Sequence, residues 1–119
     1  MVQLPKPNQW GHPTMTENIQ ARWTADSILD FLQEQAEALK VMGVVKIGLF
    51  GSYVRGEQTS DSDMDFLVLM EHWTWKGWTT VWDYLEDHFG VTVDLVPEED
   101  LRPELHRYVF PEVRYAEGF

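Results

Sequence analysis

The sequence contains no cysteine among its 119 residues. This absence excludes a disulfide, a thiolate nucleophile and a cysteine-ligated zinc site, and it fits a reducing compartment. Long apolar runs are also missing, and the start of the chain carries prolines and amides where a secretory signal needs an apolar stretch. We therefore expect a cytoplasmic protein that does not enter a membrane.

Basic residues are scarce. Nine lysines and arginines stand against 20 acidic residues, which gives a formal net charge of −11. A nucleic-acid groove needs a basic stripe, and none is visible, so we expect no nucleic-acid partner. The acidic balance does not exclude a single nucleotide, because metal ions bring positive charge into a carboxylate site.

The length and the 44% share of hydrophobic residues predict one small folded domain. Residues 1–23 carry three prolines without sustained periodicity and predict an N-terminal extension, extended or partly ordered. Trp10 and Trp23 are candidates to pin this extension to the body. Residues 24–119 are expected to form the single domain, which is too small to include a separate substrate domain.

Apolar residues recur at helical spacing in two long segments and one short one. Glu98, Glu99 and Asp100 are acidic residues that favour the start of the last helix through its dipole. The three predicted helices run from about Thr24 to Gly43, through the stripe Trp78–Phe89 to Gly90, and from Pro103 to Pro111.

The strands predicted from β-branched and apolar residues cover Val44–Phe50, Met64–Met70 and Val91–Val96. A short excursion joins the first two strands and favours an antiparallel pair, whereas a long helix joins the last two and favours a parallel crossover. The predicted fold is therefore α/β (α+β), a small mixed β-sheet flanked by helices. In this topology the end of the first strand lies beside the beginning of the second.

Polar residues at these strand ends predict a site. Gly51 and Ser52 follow the first strand, Asp63 and Asp65 flank the start of the second, and Asp94 lies inside the apolar third strand. An ionised carboxylate in an apolar strand is costly unless it is paired or bound to metal, so we expect Asp94 to be desolvated and to need a cation.

The chemistry of these residues suits a metal-bound nucleoside triphosphate. We predict that the three aspartates hold two Mg²⁺ ions, with Asp94 completing the nucleophile-side ion or acting as the base. Ser52 and the backbone N–H groups behind Gly51 are predicted to hold the distal phosphates. Arg55 is predicted either to neutralise phosphate charge or to pair with a nearby acid, Glu57 or Asp61.

The segment Gly51-Ser52-Tyr53-Val54-Arg55-Gly56, with Ser62-Asp63-Met64-Asp65-Phe66 downstream, resembles the GS-x10-DxD signature of the DNA polymerase β nucleotidyltransferase superfamily. At this length the chain most resembles the minimal nucleotidyltransferases. The resemblance implies a polymerase β-like nucleotidyltransferase fold and a two-metal nucleotidyl transfer with ATP as the usual donor. It assigns catalysis and metal binding to Asp63, Asp65 and Asp94.

The same resemblance implies a partner. Minimal nucleotidyltransferases are often encoded beside a HEPN ribonuclease toxin, and as antitoxins they can transfer AMP to a tyrosine hydroxyl of that toxin. Two alternatives stay open, namely an antitoxin that acts by binding alone and a nucleotidyltransferase that modifies a small molecule within a homodimer. Trp73 and Trp75 lie between a strand and a helix and are candidate contact anchors for a partner.

Overall fold

The computed structural model of the protein describes residues 23–119, so the predicted extension lies outside the described residues except for Trp23. Two short 3₁₀ turns, Glu98–Asp100 and Pro103–Leu105, follow the third strand. The helices and strands are α1 (Ala25–Glu34), α2 (Ala36–Val41), β1 (Val44–Phe50), α3 (Ser52–Arg55), β2 (Met64–Met70), α4 (Trp75–Phe89), β3 (Val93–Pro97), α5 (His106–Val109) and β4 (Arg114–Tyr115).

The strands form one mixed sheet in the order β3-β2-β1-β4. β1 and β2 are antiparallel and β2 and β3 are parallel, which confirms the predicted topology. β4 is an addition that the sequence analysis did not predict. It pairs antiparallel with β1, with Gly48 opposite Tyr115 and Leu49 opposite Arg114. Only two residues long, it is too short to show a periodic pattern.

Three of the predicted elements needed correction, the first and last helices and the third strand, which covers Val93–Pro97 and not Val91–Val96. The first helix is two helices that meet at Gln35, whose backbone (φ −96°, ψ 12°) leaves helical geometry while its side chain accepts a hydrogen bond from the Tyr84 hydroxyl. The last helix is reduced to α5, because Pro103–Leu105 forms a 3₁₀ turn. The prediction that Glu98–Asp100 start that helix was wrong, since these residues form a separate turn.

The core lies between the helices and one face of the sheet. Trp23 closes one end of this core, because its indole Nε1 donates to the Phe89 carbonyl at 3.0 Å and its ring meets the Phe89 ring edge-on. Trp10 lies outside the described residues. Fully buried side chains of this core include Ile28, Leu32, Leu39, Ile47, Phe66, Leu85 and Phe89.

A smaller cluster of Leu67, Leu101 and Val109 covers the other face of the sheet, where the segment after β3 lies. Because side chains alternate along a strand, Asp65 shares this second face with Leu67. The acidic residues are thereby positioned away from the main core. Within residues 23–119, no helix has the length and apolar character needed to cross a membrane.

We predict that Gly48→Ala destabilises the sheet. A Cβ at Gly48 would lie 2.7 Å from Cγ2 of Val113 and 2.8 Å from Cδ1 of Tyr115, so β4 would have to shift. Overpacking of this kind costs about 1–3 kcal/mol. Urea unfolding should show a lower midpoint for this variant than for Val45→Ala, an exposed position on the same strand. A midpoint at or above that of the wild type would contradict the prediction.

Candidate active site

The end of β1 meets the beginning of β2 at the predicted site. Phe50 and Asp65 are register partners, and Gly51 follows with φ +84°. A Cβ at Gly51 would lie 3.0 Å from Cγ of Asp65 and would overlap its Oδ2. Only glycine therefore fits here, and the Asp65 carboxylate lies directly against the turn that leads into Ser52 and α3.

Asp94 lies beside Asp65 in the parallel pair of β2 and β3. Register partners in neighbouring strands point to the same face, so both carboxylates are on the side of the sheet opposite the main core. The expectation that Asp94 is desolvated was wrong, because it is exposed while Val93 and Leu95 are buried. Side chains alternate along β3, so Val93 and Leu95 pack into the main core while Asp94 points to the opposite face and is exposed there.

Asp63 completes the acidic group from the loop before β2. It is exposed, and its charge helps to raise the pKa values of both Asp65 and Tyr53. Tyr53 is fully buried in α3, and burial is the larger cause of its pKa of about 12. Asp63 therefore lies within electrostatic reach of both the turn and Asp65.

Asp65 is the most perturbed carboxyl group of the site. Burial first, then the charges of Asp94 and Asp63, raise its pKa from 3.8 to about 7. Glu112 adds to this rise, and Arg55 opposes it without cancelling it. The positive charge of Arg55 is thus too small to offset the carboxylates of the site. The all-oxygen donor set of the site is the kind that Mg²⁺ prefers, so the residues present fit the predicted ion.

The carboxylates are neighbours but do not form a finished coordination cage. Across residues 23–119, no three acidic or histidine side chains converge closely enough to hold an ion as they stand. Two of the candidate ligands, Asp63 and Asp94, are exposed and are free to turn toward a cation. Metal binding by these aspartates stays a prediction.

Ser52 and Arg55 both belong to the short helix α3 at the turn. Ser52 is the first residue of this helix and is half-buried. Arg55 is paired, with Nε 2.9 Å from Oε1 of Glu57 and Nη1 3.0 Å from Oε1 of Glu112. The predicted pairing with Glu57 is therefore present, whereas Asp61 takes no part. Phosphate binding by Ser52 and Arg55 stays a prediction.

Glu112 is a residue of the site that sequence reasoning missed. Its Oε2 accepts a hydrogen bond of 2.8 Å from the Gly51 backbone N–H while the same carboxylate binds Arg55. No motif marks this glutamate. The only signal that could have found it is the register of β4, which itself is too short to predict.

Trp73 and Trp75 lie far from the acidic group. They follow the opposite end of β2, and their rings meet at 4.9 Å with Trp75 71% exposed. Their predicted role as contact anchors is separate from the chemistry of the site and stays a prediction.

Comparison with known proteins identifies relatives over most of the chain. The family model described as nucleotidyltransferase domain matches residues 27–116, which include all the predicted site residues. Protein adenylyltransferase MntA of Thermococcus cleftensis is 38% identical over 98 residues, covering 81% of this chain and 99% of the relative.

Solved structures show the same fold. A protein assigned as a minimal nucleotidyltransferase superposes with a TM-score of 0.60 at 36% identity, over 72% of this chain and 93% of that one. A crystal structure described as a toxin-antitoxin with AMP-PNP gives a TM-score of 0.58 at 24% identity, over 73% of each chain. The second likeness is one of fold alone.

We predict that Gly51→Ala is far more damaging than Gly56→Ala. Both glycines have positive φ, but Gly51 (φ +84°, ψ −156°) lies outside the left-handed helical region that Gly56 (φ +73°, ψ 22°) occupies. In addition, only the Gly51 Cβ would collide with Asp65, whereas nothing lies within 4 Å of a Cβ at Gly56. Backbone strain alone costs about 1–3 kcal/mol, and the collision adds to it. Thermal unfolding of the two variants measures the difference in their melting temperatures. Equal losses would contradict the prediction.

The raised pKa of Asp65 predicts a pH-dependent stability. Because the folded protein holds the Asp65 proton more tightly than the unfolded chain, folding takes up a proton between about pH 4 and pH 7. The stabilisation of the folded state by protonated Asp65 is therefore complete below about pH 4 and is lost as the pH rises through 7. Asp65→Asn removes this charge at every pH. In EDTA, the melting temperature of the variant should exceed that of the wild type by a margin that grows from pH 4 to 7 and then levels off.

Differential scanning fluorimetry across this pH range measures that margin. Asp83→Asn, which removes an exposed carboxylate from α4, is the charge-matched control and should not reproduce the trend. A constant margin for Asp65→Asn would contradict the electrostatic account of the site.

Proposed function

Because this chain belongs to the nucleotidyltransferase domain family, as its motif predicted, we propose that it is an antitoxin that transfers AMP from Mg-ATP to a partner protein. The acceptor is a hydroxyl group, that of a tyrosine, on a HEPN ribonuclease toxin. The observation that carries the proposal is the Asp65 carboxylate seated against the Gly51–Ser52 turn, with Asp63 and Asp94 beside it.

Relatives support the proposed class of acceptor. The relative matched over 99% of its length is called a protein adenylyltransferase. The described part of this chain is built around a single four-stranded sheet, without a second domain to enclose a substrate. A folded protein partner would therefore supply its own acceptor group to an open site.

In this proposal the three aspartates have different roles. Asp63 and Asp65 hold the cations, and Ser52 with the adjoining backbone N–H groups receives the distal phosphates. Arg55 adds positive charge beside the turn. When bound, two Mg²⁺ ions would neutralise phosphate charge and lower the pKa of the acceptor hydroxyl. Asp94 is exposed next to Asp65, where it is placed to help hold the cation or to take a proton.

The reaction is a single displacement at phosphorus. The acceptor oxygen forms a bond to the α-phosphorus, the bond from that phosphorus to the bridging oxygen breaks, and pyrophosphate leaves with the electron pair. The hydroxyl proton passes to Asp94 if that carboxylate acts as the base, and to solvent water if Asp94 instead helps to hold the cation. No oxidant or further co-reactant is needed, because ATP supplies both the AMP group and the leaving group.

We predict that replacing Asp63 and Asp65 together by asparagine lowers AMP transfer by at least about a hundredfold. The variant loses the charges that hold the cations, and metal stabilisation of developing charge is worth several kcal/mol. The protein is incubated with ATP, Mg²⁺ and a candidate HEPN partner, and the intact mass of the partner is measured. The Asp83→Asn, Asp87→Asn pair removes two exposed carboxylates from α4 and should leave transfer unchanged.

The same experiment separates the alternatives. A gain of nucleotide mass that vanishes with EDTA supports the proposal, and transfer that survives the Asp63, Asp65 double change would overturn the catalytic assignment. If the double variant still neutralises the toxin fully, the antitoxin acts by binding alone. Transfer to a small amine or alcohol without any partner protein would instead identify a small-molecule enzyme.

A further inference from the structure

Glu112 reaches the Gly51 turn through the register of the sheet. In the β1–β4 pair Leu49 lies opposite Arg114, and Glu112 lies in the turn two residues before Arg114, which places it beside Gly51 at the end of β1. The close fit of Val113 and Tyr115 over Gly48 holds the segment in that position. Glu112 is thus held beside Gly51 by the start of β4 on one side and by the hydrogen bond from its own backbone N–H to the Val109 carbonyl, at 3.0 Å, on the other.

The Glu112 carboxylate makes three hydrogen bonds there. Its Oε2 accepts from the Gly51 N–H at 2.8 Å, and its two oxygens accept from Nη1 of Arg55 at 3.0 and 3.2 Å. Charge-assisted bonds of this kind are stronger than neutral ones. The turn is therefore held from two sides. The Asp65 side chain packs against the Gly51 Cα, and the Glu112 carboxylate accepts a hydrogen bond from the Gly51 N–H.

We infer that Glu112 is a positioning residue that holds the Gly51–Ser52 turn in the conformation that accepts the nucleotide phosphates. The inference rests on the proposed function. Glu112 acts through Gly51 and does not itself touch the substrate, so its loss should weaken nucleotide binding even when no acceptor protein is present.

Two effects of Glu112 on an anionic ligand have opposite signs, which makes the inference testable. Its negative charge repels phosphate, so removing the charge alone should tighten binding. Its hydrogen bond orders the turn, so removing the bond should weaken binding. Glu112→Gln keeps the length and a carbonyl acceptor for the Gly51 N–H but loses the charge. Glu112→Asp keeps the charge but is one methylene too short to reach.

The experiment measures the dissociation constant of Mg-AMP-PNP by calorimetry on the whole protein without a partner. Glu112→Asp should bind about tenfold more weakly, the loss expected for one hydrogen bond, whereas Glu112→Gln should bind at least as tightly as the wild type. The matched control is Glu98→Asp on the same second face. Glu98 accepts from the Tyr115 hydroxyl and pairs with Lys46, so shortening it perturbs β4 without touching the turn.

A ligand-free readout accompanies the binding measurement. The amide proton of Gly51 should shift upfield in the NMR spectrum of Glu112→Asp, where its acceptor is lost, and should stay in place in Glu98→Asp. Binding by Glu112→Asp that equals the wild type would overturn the inference, as would equal losses in the Asp and Gln variants. Failure of the wild type itself to bind Mg-AMP-PNP would instead overturn the proposed function.

Discussion

The close approach of the Asp65 carboxylate to the Gly51 backbone is the constraint on which the site depends. It joins the end of β1 to the beginning of β2, and it leaves no room for any side chain at residue 51. The left-handed backbone of this glycine turns the chain into α3, so Ser52 begins that helix beside the acidic group. One steric contact thereby sets where the turn lies and which carboxylate faces it.

The same contact has an electrostatic cost. Asp65 is partly buried among carboxylates, and its pKa of about 7 shows that the folded protein resists its full ionisation. Such local disagreement between charge and environment is typical of functional sites, where stability is sacrificed for binding. The remainder of the domain compensates through a conventional apolar core, in which large side chains such as Phe66, Leu85 and Phe89 are fully buried.

Sequence reasoning succeeded where the signals are local. β1 and β2 have the predicted limits because each is a buried apolar run, and the connection lengths were enough to predict their pairing. The burial of Asp94 was misjudged, since apolar neighbours on one face of a strand do not reveal whether the opposite face is covered. Glu112 was missed because it lies 61 residues from Gly51 in the sequence and next to a strand of only two residues. Long-range contacts of this kind leave no periodic or compositional pattern in the sequence.

The distant origin of Glu112 has a consequence for synthesis. The turn at Gly51 and the acidic strand β2 emerge from the ribosome well before the segment that carries β4. Folding of the apolar core can begin early, yet the Glu112 carboxylate, which accepts the hydrogen bond from the Gly51 N–H, is present only after residue 112 has been added. The Gly51–Ser52 turn therefore gains its contact with Glu112 only at a late stage of synthesis, after Asp63 and Asp65 have been added to the chain.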